Sequence, residues 1–232
     1  MSELSRYTMK ITKKVFLTPD MLEIYFEKPA DFTFQAGQFI QVIVPDQQSQ
    51  SPLLRSYSLA SAPFEPHLAL CIKIVPGGRA STYLSALRVG DTLELRGPEG
   101  RFTVMDAHAP QKTFVATGAG IAPIMSILED EVRKPTNEHL RLVFGVRHER
   151  DILWLERLQV LEELHPNFSV LITLSQPSGA WTGRRGRVTE RIPELPAEGE
   201  WYLCGSPPMV KDVRALLIAK GVKMQCIHFE IF

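Results

Sequence analysis

The hydrophobic pattern of this chain changes between residues 104 and 112, and no other property limits the possible folds as strongly. Before the change, short runs of β-forming residues are separated by turns rich in Gly, Pro and Asp. After it, short apolar runs alternate with longer amphipathic ones, as strands alternate with helices. A chain of 232 residues is long enough for two domains. We therefore predict domains at 1–107 and 108–232, with a linker near 105–110.

The first domain is predicted to consist of short strands and one helix, at Ala80–Leu87. Closely spaced Gly and Pro turns favour a closed antiparallel barrel or a sandwich. The extended segments expected here are Tyr7–Leu17, Leu22–Glu27, Phe39–Val44, Arg55–Ser61, Leu68–Ile74 and Thr92–Arg96.

The second domain is predicted to alternate strands and helices, which implies a doubly wound parallel sheet with ligands at the carboxyl ends of the strands. The predicted strands are Thr113–Thr117, Leu140–Gly145, Phe168–Leu174, Trp201–Cys204 and Ile227–Phe232. The predicted helices are Pro123–Lys134, Leu153–Leu164 and a last one that Ser206 caps and that runs from Pro207 to Lys220.

Composition excludes several classes of function. The 26 basic residues balance the 26 acidic ones, so no net charge attracts nucleic acid or anionic lipid. Cys71, Cys204 and Cys226 are too widely spaced for a disulfide framework, a zinc site or an iron–sulfur cluster, and no metal is expected. The N-terminal residues are polar, and no apolar run approaches membrane-spanning length. We expect a cytoplasmic protein without an integral membrane segment.

The segment Arg55–Ser61 combines a fixed cation, an aromatic plane and several hydroxyls in one extended stretch. Strand alternation places Arg55 and Tyr57 on one face and Ser56 and Ser58 on the other. An isoalloxazine ring with its phosphate requires such groups: a ring to pack on, a hydrogen-bond donor and a positive charge. An edge strand with a surface arginine is the alternative explanation.

Two glycine turns lead into helices and offer backbone N–H groups to anions. Gly77 and Gly78 precede the first helix, and Thr117–Gly120 join a strand to the helix that contains Pro123. The second turn has fewer glycines than the dinucleotide fingerprint of three spaced glycines, so as a bare motif it is weak.

These segments together resemble the ferredoxin–NADP reductase superfamily, and the resemblance extends over essentially the whole chain. It rests on motifs in the family's order, at residues 55–61, 78–84, 97–102, 117–123, 145–151, 175–188, 204–209 and 230–232. The resemblance implies a six-stranded flavin-binding barrel, closed by a turn at 97–102, followed by a domain that binds NAD(P).

The resemblance also implies roles for individual residues. Arg55 would bind the flavin phosphate, Tyr57 would pack on the ring, and Ser58 would donate a hydrogen bond near N5. Cys204 would lie against the nicotinamide, and Phe232 would cover the flavin face and swing aside, with Glu230 close by. The candidate catalytic residues are Ser58, Cys204, Glu230 and Phe232. The candidate cofactor-binding residues are Arg55, Ser56, Tyr57, Ser58, Lys73, Gly78, Ala80, Ser81, Thr117, Gly118, Gly120, Pro123, Arg147, Ser175, Arg184, Cys204, Gly205 and Phe232.

The implied function is transfer of a hydride from NAD(P)H to non-covalently bound FAD. Gln176 stands where members of the family that use NADP often have an arginine, which favours NADH. The preference is slight, because Arg184 and Arg185 lie near in sequence. Electrons would then pass to a separate carrier such as a ferredoxin, a flavodoxin or an oxygenase component. The alternatives are a reductase of free flavin, a non-catalytic subunit that senses redox state, and a protein whose barrel has lost its flavin.

Overall fold

The fold is described from a computed structural model, in which residues 5–45, 51–105, 109–135 and 138–231 are described. The chain forms two compact units. The first comprises Met1–Thr103 and Met125–Asp130, and the second comprises Val104–Ile124 and Glu131–Phe232. Each unit contains its own six-stranded sheet.

The first unit is an antiparallel barrel that includes helix α1, at Arg79–Ala86. Its strands are β1 (Arg6–Thr18), β2 (Met21–Glu27), β3 (Phe39–Val44), β4 (Leu53–Ser58), β5 (His67–Lys73) and β6 (Thr92–Glu99). They are ordered β4-β3-β6-β1-β2-β5. An antiparallel bridge between Leu59 and Leu70 joins the two outer strands and closes the sheet. The predicted six-stranded barrel is confirmed.

The barrel encloses an apolar core because inward-facing side chains alternate with outward-facing ones along each strand. Residues of this core that are completely buried include Ile11, Leu22, Ile24, Phe26, Ile40, Val42, Leu59, Ile72 and Leu84.

The turn expected at 97–102 is wrong in its first half, since β6 continues through Gly97 to Glu99. Glu99 pairs with Phe39, and the register shifts between Phe39 and Gln41. Gly97 adopts a φ of 141°, which favours glycine and lets the strand continue past the irregularity. Gly100, with a φ of 105°, follows the end of the strand.

The second unit contains a wholly parallel sheet, with strands β7 (Gln111–Thr117), β8 (His139–Val146), β9 (Phe168–Leu174), β10 (Arg184–Arg185), β11 (Glu200–Gly205) and β12 (Ile227–Ile231). The helices that connect its strands are α2 (Ile121–Glu131), α3 (Leu155–Leu164), α4 (Val188–Arg191) and α5 (Pro207–Ala219). Within α2, Met125–Asp130 group with the first unit. The strand order is β10-β9-β8-β7-β11-β12. The chain winds outward from β7 in one direction and then resumes at β11 in the other, which confirms the doubly wound sheet.

Several boundaries differ from the sequence prediction. Helix α3 begins at Leu155 because Trp154 has a left-handed φ of 52°, which ends the preceding turn. Helix α2 begins at Ile121, directly after a turn of 3-10 helix, and stops at Glu131. Ser206 occupies the position before α5, but its hydroxyl makes no capping bond. Over the ranges described, no helix is both long and apolar enough to cross a membrane.

Candidate functional site

The flavin motif lies on β4, where its residues differ in exposure. Tyr57 is half-buried, packs against the barrel core and pairs with Ile40 of β3. Ser58 is buried, and Ser56 is exposed opposite Gln41. Burial raises the pKa of the Tyr57 hydroxyl, and the nearby Arg55 charge partly opposes that shift. Ring and cation are therefore neighbours, as the sequence predicts.

Arg55 is exposed, and its Nη1 donates to the carbonyl of Leu54 at 2.8 Å. The bridge between Leu59 and Leu70 is antiparallel. Because the two strands run in opposite directions, Arg55, which precedes Leu59, lies at the same end of the barrel as Lys73, which follows Leu70. Helix α1 comes after Lys73 in the chain. The topology thus brings the predicted phosphate-binding residues of β4, β5 and α1 to one end of the barrel.

The amino end of α1 differs from the expectation in one respect. The Ser81 hydroxyl accepts a bond from Val75 N at 3.1 Å and lies 3.2 Å from the carbonyl of Gly78, to which it can donate. Ser81 therefore holds the turn before the helix together, and Ala80 is buried in the barrel core. Gly78 provides no side-chain cap, so the backbone N–H groups of the first turn are the groups suited to an anion.

The nucleotide turn lies at the point where the second sheet changes winding direction, between β7 and β11. A Cβ on Gly120 would lie 2.2 Å from the carbonyl oxygen of Cys204, and a Cβ on Gly205 would lie 2.3 Å from Oγ1 of Thr117. Gly120 therefore packs against the backbone of Cys204, where only glycine fits, and Gly205 packs against the Thr117 side chain with a φ of 152° that favours glycine.

Gly118 presents the open side of this turn. Its φ is 55°, it is exposed, and a Cβ built on it would meet nothing within 4 Å. Pro123 lies in the first turn of α2, where a missing N–H costs nothing. A strand end, an open glycine and a helix start form a site suited to a pyrophosphate.

Cys204 and Glu230 are adjacent because β11 and β12 pair them in register. Cys204 is completely buried, and burial together with the Glu230 charge raises its pKa well above the ordinary value of 9.0. The thiol is therefore protonated at neutral pH, which argues against a role as a nucleophile. The gate predicted at Phe232 lies outside the described residues.

A third group of candidate residues follows the ends of β8, β9 and β10, where Val146, Leu174 and Arg185 are in register. The residues placed side by side by that register are Arg147, Ser175 and Gly186. Arg147, Ser175 and Arg184 are all exposed. The motifs single out these residues but not Glu149, whose carboxylate accepts bonds from N and Oγ of Ser178 at 2.9 and 2.5 Å. Only a folded structure reveals that contact, because the two residues lie in different loops.

The donor sets fit the groups that the motifs imply. The barrel offers Arg55, the ring of Tyr57 and the uncapped start of α1, which suit a flavin with its phosphates. The second unit offers an open glycine turn at the change of winding direction, which suits a dinucleotide.

Two family models match the chain. Residues 8–104 match the model described as oxidoreductase FAD-binding domain. Residues 114–215 match the model described as oxidoreductase NAD-binding domain.

Named relatives and solved structures agree with these models. Ferredoxin–NADP reductase B of Sorangium cellulosum (strain So ce56) is 36% identical over 228 residues, 92% of this chain and 92% of its own. The toluate 1,2-dioxygenase electron transfer component of Pseudomonas putida is 32% identical over 86% of this chain, which spans 59% of that relative. A ferredoxin NADP+ reductase from Neisseria gonorrhoeae, solved with bound FAD and NADP, has the same fold, with a TM-score of 0.87, 24% identity and 99% coverage of both chains.

The geometry of the two units and these similarities lead to one conclusion. The chain matches an FAD-binding and an NAD-binding family model, and it is 36% identical to a ferredoxin–NADP reductase over 92% of its length. It therefore belongs to the ferredoxin–NADP reductase superfamily, as an NAD(P)H-dependent flavoprotein oxidoreductase.

Proposed function

We propose that this chain takes a hydride from NADH and passes the electrons to a separate protein carrier, such as a ferredoxin or a flavodoxin. The observation that carries the proposal is the backbone packing of Gly120 against Cys204 where the sheet changes winding direction. It joins the turn suited to the pyrophosphate to the turn suited to the nicotinamide. The similarity to a ferredoxin–NADP reductase and to electron transfer components of oxygenase systems supports a protein acceptor.

We assign the binding of the flavin to residues of the barrel. Arg55, with Lys73 and the N–H groups after Gly78, holds the phosphates, because charged donors make the stronger hydrogen bonds to anions. Tyr57 packs on the ring, and Ser58 donates a hydrogen bond near N5. Ser56 completes the lining of the flavin site. Ala80 contributes its backbone, and Ser81 holds the turn before α1 in place.

In the second unit, we assign binding of the nicotinamide nucleotide. Thr117, Gly118, Gly120 and Pro123 form the pyrophosphate turn. The residues assigned to the adenosine side are Arg147, Ser175 and Arg184. Those assigned to the nicotinamide side are Cys204, Gly205, Glu230 and Phe232.

When bound, the two cofactors would supply the chemistry, which is hydride transfer from the nicotinamide to the flavin. The protein binds and orients. The protonated Cys204 thiol adds no charge on the nicotinamide side, and no acid, base or metal is required for the hydride step.

This proposal also covers the boundaries of the functional domains, the location of the protein in the cell and its acceptor. We assign the flavin domain to 1–107 and the nucleotide domain to 108–232, in a cytoplasmic protein. This chain spans 59% to 64% of several oxygenase-system relatives. The similarity to those proteins makes an oxygenase component the second acceptor that we propose.

A two-step experiment tests the proposed function. The purified protein is passed through gel filtration, and its flavin content is measured from the absorbance. It is then mixed with NADH and either ferredoxin, flavodoxin or free flavin, and the rate of acceptor reduction is recorded. Retained FAD and fast reduction of a protein carrier support the proposal. Loss of flavin on the column, with turnover only of added free flavin, would show a free-flavin reductase instead.

A further inference from the structure

Two loops at the carboxyl edge of the second sheet are fastened to each other by several hydrogen bonds. Gln176 N donates to the carbonyl of Arg147 at 2.8 Å. The His148 Nδ1 lies 2.6 Å from the carbonyl of Gln176, to which it donates. The Glu149 carboxylate receives both N–H and hydroxyl of Ser178. The loop after β8 and the loop after β9 therefore hold Glu149 in one place.

Glu149 carries a negative charge in this position. The bond from the Ser178 hydroxyl is the largest cause that lowers the pKa of its carboxyl group, with backbone bonds adding to it. The side chain is reached by solvent, so the carboxylate is ionised throughout the neutral range.

Several guanidinium groups lie near Glu149, along the chain or in the segment after β9. Arg150 Nε lies 3.9 Å from Oδ1 of Asp151, in a solvent-exposed ion pair. Arg185 Nη2 donates to the carbonyls of Trp181 at 2.8 Å and Ser178 at 3.2 Å, so this guanidinium is bound to the loop. Arg147 and Arg184 are exposed. We place them on the adenosine side, where their charge acts on any phosphate in the wild type and in a Glu149 variant alike. A change of cofactor preference when the Glu149 charge is removed therefore reports Glu149 itself.

The group that distinguishes the two cofactors is the 2′-phosphate on the adenosine ribose of NADPH. In doubly wound sheets, ligands bind beyond the carboxyl ends of the strands. On the proposed function, the adenosine ribose therefore lies beside the loops that follow β8 and β9. We propose that Glu149 is a specificity-determining residue that disfavours NADPH, because its fixed carboxylate repels the 2′-phosphate and tolerates the 2′-hydroxyl. This inference rests on the proposed function and adds the residue that sets the choice of cofactor.

Glu149→Gln is the direct test, because glutamine keeps an acceptor for Ser178 and removes the charge. The kcat/KM for NADPH relative to that for NADH should rise roughly five- to tenfold, because a like-charge contact is removed. The matched control is Glu198→Gln, which removes the same charge from the segment before β11, at the opposite edge of the sheet. The control should leave the ratio unchanged.

Binding of cofactor fragments gives a readout that does not depend on turnover. Titration calorimetry should show that Glu149→Gln tightens binding of adenosine 2′,5′-bisphosphate and leaves binding of adenosine 5′-monophosphate unchanged. Raising the salt concentration should tighten bisphosphate binding to the wild type relative to the variant, because salt screens the repulsion.

The outcomes separate this inference from the proposed function. If NADH reduces the flavin but Glu149→Gln changes neither the kinetic ratio nor the binding of the bisphosphate, Glu149 does not select the cofactor and only this inference is wrong. An equal loss of affinity for both fragments would mean that Glu149 only stabilises the two loops, which would also overturn this inference. If neither fragment binds the wild type, the ribose site is misplaced and the inference is lost with it. Failure of NADH to reduce the flavin would overturn the proposed function itself.

Discussion

At the level of single residues, β4 presents a charge, a ring and hydroxyls in consecutive positions. Arg55 is exposed, as a residue that binds a flavin phosphate must be, and Tyr57 is half-buried against the core, which fixes its ring for packing on the flavin. The Ser81 hydroxyl, by contrast, is occupied by its own turn. The residue types were readable from the motif. Which hydroxyl is committed to local structure depends on loop geometry that the sequence does not state.

Replacing Arg55 by alanine should weaken retention of FAD about ten- to a hundredfold, because a charge-assisted bond to phosphate is lost. The dissociation constant is measured by titrating FAD into apoprotein and following quenching of flavin fluorescence. Arg6→Ala, which removes an exposed arginine from β1 of the same barrel, should leave it unchanged. Equal flavin affinity in wild type and Arg55→Ala would refute the role of Arg55.

Replacing Gln176 by arginine should improve use of NADPH relative to NADH, since a guanidinium beside Ser175 can pair with the 2′-phosphate. A several-fold rise in the ratio of the two kcat/KM values is expected. Gln176→Leu, which removes the amide without adding charge, should leave the ratio close to that of the wild type. If the arginine variant shows no shift either, the ribose lies elsewhere.

At the level of elements, the strands of both sheets followed from their alternation of apolar residues and turns, and their order along the chain was correct. The two-residue strand β10 and the short helix α4 were not predicted, because neither has a periodic pattern long enough to recognise. The late start of α3 depends on the left-handed backbone of Trp154, which a bulky residue adopts only when its surroundings impose it. Pairing of Cys204 with Glu230 likewise needed the register of β11 and β12.

Gly120→Ala should disrupt the junction of β7, α2 and β11. Its new Cβ would lie 2.2 Å from the backbone oxygen of Cys204, so backbone must move and the free energy of unfolding should fall by about 1–3 kcal/mol. Reduction of the flavin by NADH should slow at the same time. Gly179→Ala is the matched control, because a Cβ there would meet nothing within 4 Å. Urea unfolding of both variants measures the difference, and equal stability would mean that the turns are not packed as described.

At the level of the whole molecule, the two units have separate cores, and an FAD-binding and an NAD-binding model match them in order. The sequence predicted both architectures from pattern and motif. It could not show that Met125–Asp130 group with the first unit, because that grouping depends on proximity in space and not on order along the chain.

Two buried thiols should make the whole protein less stable in alkali. Burial is the main cause that raises the pKa of Cys71 and of Cys204 above the ordinary 9.0. Above pH 9 the unfolded chain therefore releases these protons while the folded chain retains them, so stability that is present below pH 9 is lost as the pH rises. The loss is about 1.4 kcal/mol per pH unit for each thiol.

Urea unfolding between pH 8 and pH 10 measures this dependence. Cys71→Val should flatten the slope relative to the wild type, whereas Cys226→Ala, at a partly exposed cysteine, should change it little. An unaltered slope in Cys71→Val would contradict the role of the buried thiol.

The central claim is that one chain binds FAD and accepts a hydride for it from NADH. Anaerobic mixing of the FAD-loaded protein with NADH, followed by absorbance, tests this most directly. The yellow flavin absorbance should bleach within seconds, and Gly120→Ala should slow the bleaching although its FAD remains bound. A flavin spectrum that NADH leaves unchanged would contradict the account and would leave a flavin-binding subunit without reductase activity.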